Sequence, residues 1–306
     1  MRVIFFGTSE FAVPSLERLV EDRHDVVLCV TQPDRPQGRG LALAPSPVKA
    51  AALRLGVRLA QPERPERSVV EPTAPDVGVV AAYGALIPKA LLTLPRHGMV
   101  GVHPSLLPKY RGAAPVAWAI LRGETKTGVT IFRLDDRLDA GDLLVQRMAP
   151  VAPSDTTDSL TRQLSRLGAD ALAEALSQLA DLRARPQPQD ETQATQAPKF
   201  TKAQGRIDWR APAEELERLI RAMTPWPGAA AAWHGDAVKI LAAAAASGGM
   251  RPGEPGTVLQ AEGDVLTVAT GRGALQIREL QPAGKRRMSA REFLAGPKVR
   301  PGDRLE

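Results

Sequence analysis

Residues 100–115 read Val-Gly-Val-His-Pro-Ser-Leu-Leu-Pro-Lys-Tyr-Arg-Gly-Ala-Ala-Pro, a short apolar strand that leads into a histidine and then into a stiff loop. Proline fixes its own φ and restricts the residue before it, so Pro104 and Pro108 leave this loop few conformations. Gly112 permits a turn that other residues resist. A loop of this kind holds His103 in one position. Such a histidine is either catalytic or an ordinary residue of a rigid surface loop, and the loop alone leaves both readings open.

Around this stretch, apolar strand-like runs alternate with segments of helical periodicity. The predicted strands are Arg2–Phe6, Val26–Val30, Val77–Ala82, Val100–Val102, Val129–Leu134 and Leu143–Met148. The predicted helices are Phe11–Glu21, Pro47–Leu55 with Ser46 as its N-cap, Ala113–Leu121 and Ser159–Leu182. Strands that are apolar on both faces and flanked by helices indicate an α/β fold, a Rossmann-like domain with a mostly parallel sheet. Ligands of such sheets bind outside the carboxyl ends of the strands, where Gly7-Thr8, Tyr83-Gly84 and His103 should gather.

The length of 306 residues predicts two domains. Residues 186–200 are rich in proline and glutamine and have little to bury, which indicates a linker. We therefore expect a catalytic domain over residues 1–188, a linker over 189–204 and a second domain over 205–306. After a helix at Ala213–Met223, the second domain has short strand-like runs whose spacing suits a small OB-like β-barrel: Val238–Leu241, Gly256–Gln260, Val265–Ala269 and Ala274–Leu280.

The composition narrows the class of protein. Apolar residues make up 43% of the chain, enough for a core, and no apolar run is long enough to predict a transmembrane helix. The N-terminus lacks the layout of a signal peptide. The single cysteine, Cys29, rules out an intramolecular disulfide and is expected to be a buried small hydrophobe, which favours a cytoplasmic location. The net charge of +6 permits a polyanionic partner without requiring one.

Several common chemistries have no signature here. The chain has no G-x-S-x-G elbow, no Walker A sequence and no G-x-G-x-x-G, and its four histidines and one cysteine are too scattered to predict a metal site. The remaining candidates are His103 and the acid-rich turn Leu134–Asp142. Within that turn Asp139 is the best placed to point into a cleft, while its other three acids are interpreted as solvating or capping residues: Asp135, Asp136 and Asp142. A carboxylate near His103 would orient the ring and stabilise its charged form.

The two candidate segments carry a resemblance. Residues 103–115 and the sequence Leu138-Asp-Ala-Gly141 resemble the hallmark motifs of the folate-dependent formyltransferases. The resemblance covers nearly the whole chain, and within the family it is to the branch that acts on methionyl-tRNA. The other matching segments are Phe6-Gly-Thr8 with Phe11-Ala12, Gln32–Gly40, Pro45–Lys49, Ala81–Gly84 with Ile87-Pro88, Lys202, Arg206–Trp209, Pro225–Pro227 and Gln281–Lys285.

The resemblance implies transfer of a formyl group from 10-formyltetrahydrofolate to the α-amine of initiator methionyl-tRNA, for translation initiation. His103 matches the family histidine, which stabilises the tetrahedral oxyanion and relays a proton, and Asp139 matches the aspartate that orients it and helps take up the amine proton. Gly101 stands where the family has asparagine, and this chain contains no asparagine that could replace it. Water or a backbone N–H would then have to supply the missing donor. We expect Gly101→Asn to raise kcat by roughly tenfold or more.

The resemblance also implies two binding surfaces. The folate would lie against Tyr83, Gly84, Leu86, Ile87, Pro88, Ser105, Leu106, Leu107 and Pro108, with Leu86 partly in the core. The tRNA would contact Arg35, Arg39 and Lys49 in the loop Gln32–Lys49, and Lys202, Arg206, Lys285, Arg286 and Arg287 beyond it. A solvated turn is the alternative for the last three. We expect Arg39→Ala to weaken tRNA use and to leave folate binding intact. No metal and no membrane are implied, and a monomer is expected.

Three other functions stay open from the sequence. A sugar-amine formyltransferase or a formylfolate hydrolase could use the same fold, although the basic loop Arg35–Arg39 argues against both. A catalytically impaired protein that binds folate and tRNA is the third, and Gly101 motivates it. Formation of formyl-methionyl-tRNA distinguishes these functions.

Overall fold

The computed structural model describes residues 1–37, 42–246, 253–296 and 299–306. The chain divides into two compact units. The first consists of Met1–Pro115, Lys126–Pro150 and Thr161–Pro198, and the second of Val116–Thr125, Val151–Leu160 and Lys199–Glu306. This division differs from the expected boundaries at 188 and 205. Residues 189–198 belong to the first unit, and two segments from the N-terminal half belong to the second.

Up to residue 180 the chain alternates strands and helices. In chain order the elements are β1 (Arg2–Gly7), α1 (Val13–Glu21), β2 (Asp25–Val30), β3 (Arg35–Gln37), β4 (Ala42–Ala44), α2 (Pro47–Arg54), β5 (Leu59–Ala60), α3 (Arg67–Val70), β6 (Val77–Ala81), α4 (Lys89–Leu92), β7 (Met99–His103), α5 (Pro115–Leu121), β8 (Lys126–Arg133), β9 (Leu143–Pro150) and α6 (Thr157–Ala180). The strands and helices predicted for this region are confirmed to within a few residues. The short hairpin of β3 and β4 was not predicted.

The first unit contains a seven-stranded sheet in the order β5-β2-β1-β6-β7-β8-β9. The first five strands in this order are parallel to one another, β8 is antiparallel to β7, and β9 is antiparallel to β8. This confirms a Rossmann-like, mostly parallel sheet. The strand order reverses between β1 and β6, the position at which open α/β sheets bind ligands. Gly7 pairs with Ala81 and Ala81 with Val102, so the ends of β1, β6 and β7 lie side by side. The predicted convergence of these strand ends is confirmed.

The first unit packs its core on both faces of this sheet. Residues Val3 to Phe6 of β1 are fully buried, as expected for a central strand covered by helices on either side. Cys29 on β2 is also fully buried, and burial raises the pKa of its thiol to about 12. The thiol is therefore neutral near pH 7 and packs as a small hydrophobe, as predicted. Across the part of the chain that the structure describes, no helix is long and apolar enough to cross a membrane.

The second unit contains an antiparallel sheet, as predicted. Its elements are α7 (Ala213–Met223), β10 (Ala229–Trp233), β11 (Asp236–Ala245), β12 (Val258–Glu262), β13 (Val265–Ala269), β14 (Ala274–Pro282), β15 (Met288–Ser289) and α8 (Ala290–Leu294). The strand order is β10-β11-β14-β13-β12, with β15 paired to β14. Residues 303–306 join the two edges. Ala232 on β10 exchanges two backbone hydrogen bonds with Glu306, and Val258 on β12 donates to Asp303. The sheet therefore closes on itself, as a barrel requires.

The N-cap of α2 offers a test of this fold. The Ser46 hydroxyl accepts from Lys49 N at 3.0 Å and shares a 2.8 Å hydrogen bond with Thr31 Oγ1, and Ser46 is buried. We expect Ser46→Ala to lower the free energy of unfolding by about 1–2 kcal/mol, because it removes a cap and leaves the Thr31 hydroxyl without this partner. Urea denaturation measures the change. Ser68→Ala, at an exposed hydroxyl, is the control and should change the stability by less than about 0.5 kcal/mol. Equal stabilities for the two variants would contradict the prediction.

Candidate active site

His103 is the last residue of β7 and is almost fully buried. Its Nε2 lies 2.9 Å from the backbone carbonyl oxygen of Tyr110. A carbonyl oxygen can only accept, so Nε2 carries the proton and donates it. The loop that returns the chain to His103 is itself anchored, because Tyr110 N donates to Thr195 Oγ1 at 2.8 Å. The stiff loop predicted from the prolines thus holds the histidine ring by a backbone hydrogen bond.

Asp139 lies opposite the other nitrogen of this ring. Its Oδ2 is 3.6 Å from His103 Nδ1, too far for a direct hydrogen bond, and it accepts a 2.8 Å hydrogen bond from Gly112 N. The predicted juxtaposition of His103 and Asp139 is present in the structure. The ring orientation, however, comes from the Tyr110 carbonyl, whereas the carboxylate places a negative charge in front of Nδ1.

The turn that carries Asp139 needs glycine two residues later. A Cβ on Gly141 would lie 1.9 Å from the carbonyl oxygen of Arg133, which no side chain can tolerate. Asp139 itself has a φ of 50°, the left-handed region that aspartate adopts more readily than most residues. The Asp-Ala-Gly sequence therefore determines the backbone path of this turn and also supplies the carboxylate.

Arg111 and Gln189 hold this turn in place, and sequence reasoning assigned a role to neither. The buried Arg111 guanidinium donates through Nε and Nη2 to Gln189 Oε1, at 3.1 and 2.7 Å. The amide of Gln189 then donates to the carbonyl oxygens of Asp139 and Gly141, at 2.9 and 2.8 Å. Arg111 also pairs with Glu191 at 2.8 Å, and this hydrogen bond lowers the pKa of the Glu191 carboxyl below its usual value.

The segment expected to be a linker is packed on the first unit as far as residue 198. Arg111 N donates to Thr195 O at 2.8 Å, and Ala197 N donates back to Arg111 O at 2.7 Å. Ala197 is fully buried. Backbone and amide hydrogen bonds, together with the buried Ala197, therefore fix this polar segment.

Gly101 lies on β7 two residues before His103 and is buried. A Cβ at this position would lie 2.4 and 2.7 Å from Cε1 and Cζ of the Phe132 ring, and 2.9 Å from Leu134 Cδ1. A side chain at position 101 would therefore have to displace the Phe132 and Leu134 side chains, so the gain in kcat expected for Gly101→Asn requires that these side chains move. The space that an asparagine side chain needs is filled by the Phe132 ring.

The residues expected to contact folate fall into two groups. Those after β6 form an exposed loop in which Leu86 is 83% exposed and Gly84 has a φ of 87°. Leu86 is thus no part of the core, contrary to expectation. Tyr83 is buried instead, with its ring edge-on to Phe6 at 5.5 Å, and Ile87 packs against the same cluster. Pro88 precedes α4 as its N-cap residue.

The second group, residues 105–108, forms the turn after His103. Ser105 Oγ donates to Lys109 O at 2.6 Å, and Leu107 N donates to Thr130 Oγ1 at 3.1 Å. Ser105 and Leu107 are buried, whereas Leu106 and Pro108 are half-buried. The contacts of Ser105 and Leu107 stabilise the turn, so Leu106 and Pro108 offer the more accessible surface of this group.

The basic residues expected to contact tRNA in the first unit have different surroundings. Arg35 on β3 is exposed. Lys49 is half-buried and its Nζ lies 2.5 Å from Asp34 Oδ2, an ion pair that lowers the pKa of the Asp34 carboxyl. Arg39 lies outside the described residues, together with its neighbours at 38, 40 and 41.

The basic residues expected in the second unit are all exposed: Lys202, Arg206, Lys285, Arg286 and Arg287. Arg286 pairs with Glu292 at 2.6 Å, and Arg287 pairs with Glu279. Arg206 borders a cavity of about 460 Å³ that is also lined by Trp118, Arg122 and Arg218. Two of the three cations at 285–287 are thus matched by carboxylates, and the cavity likewise sets its three arginines beside Asp208 and Glu215.

The chain matches two family models, described as "Formyl transferase" over residues 1–176 and "Formyl transferase, C-terminal domain" over residues 199–298. It is 45% identical to a methionyl-tRNA formyltransferase of Geotalea uraniireducens, over the whole chain and 98% of that protein. It is 47% identical to one of Roseiflexus sp., over the whole chain and 95% of that protein. Its fold is similar to an N-formyltransferase from Helicobacter canadensis in complex with folinic acid and dTDP-3-aminofucose, with a TM-score of 0.71 and 15% identity over 90% of this chain and 98% of the other.

The effect of Arg111 on the stability of the Asp139 turn can be measured. We expect Arg111→Met to lower the free energy of unfolding of the first unit by about 2 kcal/mol, because Gln189 and the Asp139 turn lose a buried charged donor. Hydrogen exchange should show faster opening at the amides of Gly112 and Ala197, which bond to Asp139 Oδ2 and to Arg111 O. Arg67→Met is the matched control: Arg67 pairs with Glu71 at the surface, and its loss should leave the stability close to that of the wild type. Unchanged stability in Arg111→Met would rule out the holding role.

Proposed function

Because this chain belongs to the formyl transferase family, we propose that it transfers the formyl group of 10-formyltetrahydrofolate to the α-amine of initiator methionyl-tRNA. The observation that carries the proposal is the pair formed by His103 and Asp139, held at the end of β7 by the Tyr110 carbonyl and the Gly112 N–H. Identity of about 45% over the full length of methionyl-tRNA formyltransferases supports the same acceptor. The proposal includes a cytoplasmic, monomeric enzyme that needs no metal.

In this reaction the amine attacks the formyl carbon, the formyl oxygen becomes an oxyanion, and the bond from that carbon to N10 of the folate breaks. The amine nitrogen loses one proton and N10 gains one, so the protons balance. His103 relays this proton and stabilises the oxyanion. Nδ1 is the ring atom for the exchange, because Nε2 is already bonded to Tyr110 O.

Asp139 assists the same proton transfer. Its carboxylate faces Nδ1 at 3.6 Å, so it stabilises the positive charge that the imidazole carries when it holds the proton. At this distance the carboxylate stabilises the protonated ring without itself bonding to Nδ1, so Nδ1 stays available to the proton of the amine.

We assign the folate to the loop that follows β6. This loop lies beside the end of β7 at the strand edge where α/β sheets bind ligands. It presents the exposed side chain of Leu86 and the backbone around Gly84, which suits a flat heterocycle that needs an apolar surface and a few backbone hydrogen bonds. Lys89 on α4 pairs with Asp136 at 2.7 Å and so connects this loop to the turn of Asp139.

The tRNA is assigned to the exposed cations of both units. Arg35 belongs to the loop Gln32–Lys49, and Arg206 lines a cavity with Arg122 and Arg218. Guanidinium groups suit phosphate oxygens because of their forked donor geometry. We thus propose that the first unit carries the folate and the chemistry, and that the second unit adds sequence-independent contacts to the tRNA backbone.

A formylation assay tests the function. Purified protein, 10-formyltetrahydrofolate and charged initiator tRNA should give formyl-methionyl-tRNA, and His103→Ala should lower kcat by about 10²–10⁴-fold, the usual contribution of acid–base catalysis. Asp139→Asn should lower kcat with little change in KM. His97→Ala, a half-buried histidine on the loop before β7, is the control and should keep normal turnover.

The same assay separates the alternatives. Formylation of an amino sugar in place of the tRNA would identify a sugar-amine formyltransferase, and release of formate without transfer would identify a hydrolase. Binding of tRNA without turnover would identify an impaired binding protein.

The tRNA contact of the first unit is tested with Arg35→Ala. We expect KM for the tRNA to rise and the salt dependence of binding to fall by about one ion equivalent, with KM for the folate unchanged. Arg64→Ala removes an equally exposed arginine outside the loop and serves as the control. A rise in the folate KM for Arg35→Ala would refute the assignment of this loop to tRNA.

A further inference from the structure

Gly101 and Phe132 are paired on neighbouring strands next to His103. Gly101 on β7 pairs directly with Phe132 on β8, and His103 pairs with Thr130. Residues two apart on a strand point to the same face of the sheet, so a side chain at position 101 would stand next to His103. Gly101 has no such side chain. The Phe132 ring lies over it instead, with two ring carbons 2.4 and 2.7 Å from the position that a Cβ would take.

The same ring reaches the histidine. The rings of Phe132 and His103 are 6.4 Å apart between centroids and 86° apart in plane, an edge-to-face arrangement. Phe132 is 4% exposed and His103 6%, so no layer of solvent separates them from the core. The imidazole is thus fixed at one atom by the Tyr110 carbonyl and flanked by an aromatic ring.

We infer that Phe132 is a positioning residue for His103, and that glycine at position 101 is what allows its ring to reach the histidine. The inference rests on the function proposed above, because it concerns the same histidine. One hydrogen bond from Nε2 leaves the ring free to swing about that bond, and Phe132 removes this freedom. The two positions form one unit, since any side chain at 101 must displace the ring at 132.

The first test separates positioning from packing. Phe132→Leu keeps the site apolar but removes the ring edge, and Phe5→Leu makes the same change at a fully buried phenylalanine of β1. We expect Phe132→Leu to lower kcat by about tenfold or more, because small misplacements of catalytic groups are costly. KM for both substrates should stay within about twofold and the pH profile of kcat should shift, whereas Phe5→Leu should lower only the melting temperature. Wild-type kcat and pH profile in Phe132→Leu would overturn the inference.

The second test asks whether the two positions are coupled. Gly101→Ala should lower both the melting temperature and kcat, because its Cβ collides with the ring. In the double variant Gly101→Ala with Phe132→Leu, the melting temperature should rise above that of Gly101→Ala alone. Strictly additive effects would overturn the coupling. The melting temperatures can be compared whether or not the protein formylates tRNA. A failure of the proposed function would appear as no turnover by the wild-type protein, and a failure of this inference would appear as additive changes in melting temperature.

Discussion

The buried guanidinium of Arg111 connects three segments that are distant in sequence. It belongs to the loop after His103, it bonds to Gln189 and Glu191, and through Gln189 it reaches the backbone of Asp139 and Gly141. A charged group buried with several hydrogen-bond partners fixes the histidine loop against the aspartate turn, because leaving any of those partners unmatched would be costly.

Much of the fold could be predicted because its signals are local. Apolar runs such as Val77–Ala81 are typical of strands buried on both faces, and Ser46-Pro47 marks a helix start that the structure reproduces. Strand β10 and the second half of β11 lacked such a signal, because both consist largely of alanine. Alanine has little strand preference, so these strands depend on their pairing partners, which a local pattern does not reveal.

Some residues of the candidate site likewise have a local sequence signal, and others do not. His103 follows from a strand end and Asp139 from an acid-rich turn, and the structure brings the two side chains together. Gln189 gave no signal, because a glutamine in a polar, proline-rich run looks like linker until its partner is known. The clash at Gly101 was equally hidden, because it depends on the register of β7 and β8 rather than on either strand alone.

The closure of the second unit by residues 303–306 has a consequence for folding. The end of β10 and the start of β12 both obtain hydrogen-bond partners from this short segment, while Ala230, earlier on β10, accepts from Ile207 N. Before this segment docks, the end of β10 and the start of β12 are open strand edges of the kind that pair with other chains. Because β10 and residue 306 are far apart in sequence, their pairing also has a high loop-closure cost and is expected to form late. The nascent protein therefore passes through an interval of exposure to aggregation that ends only when this segment docks.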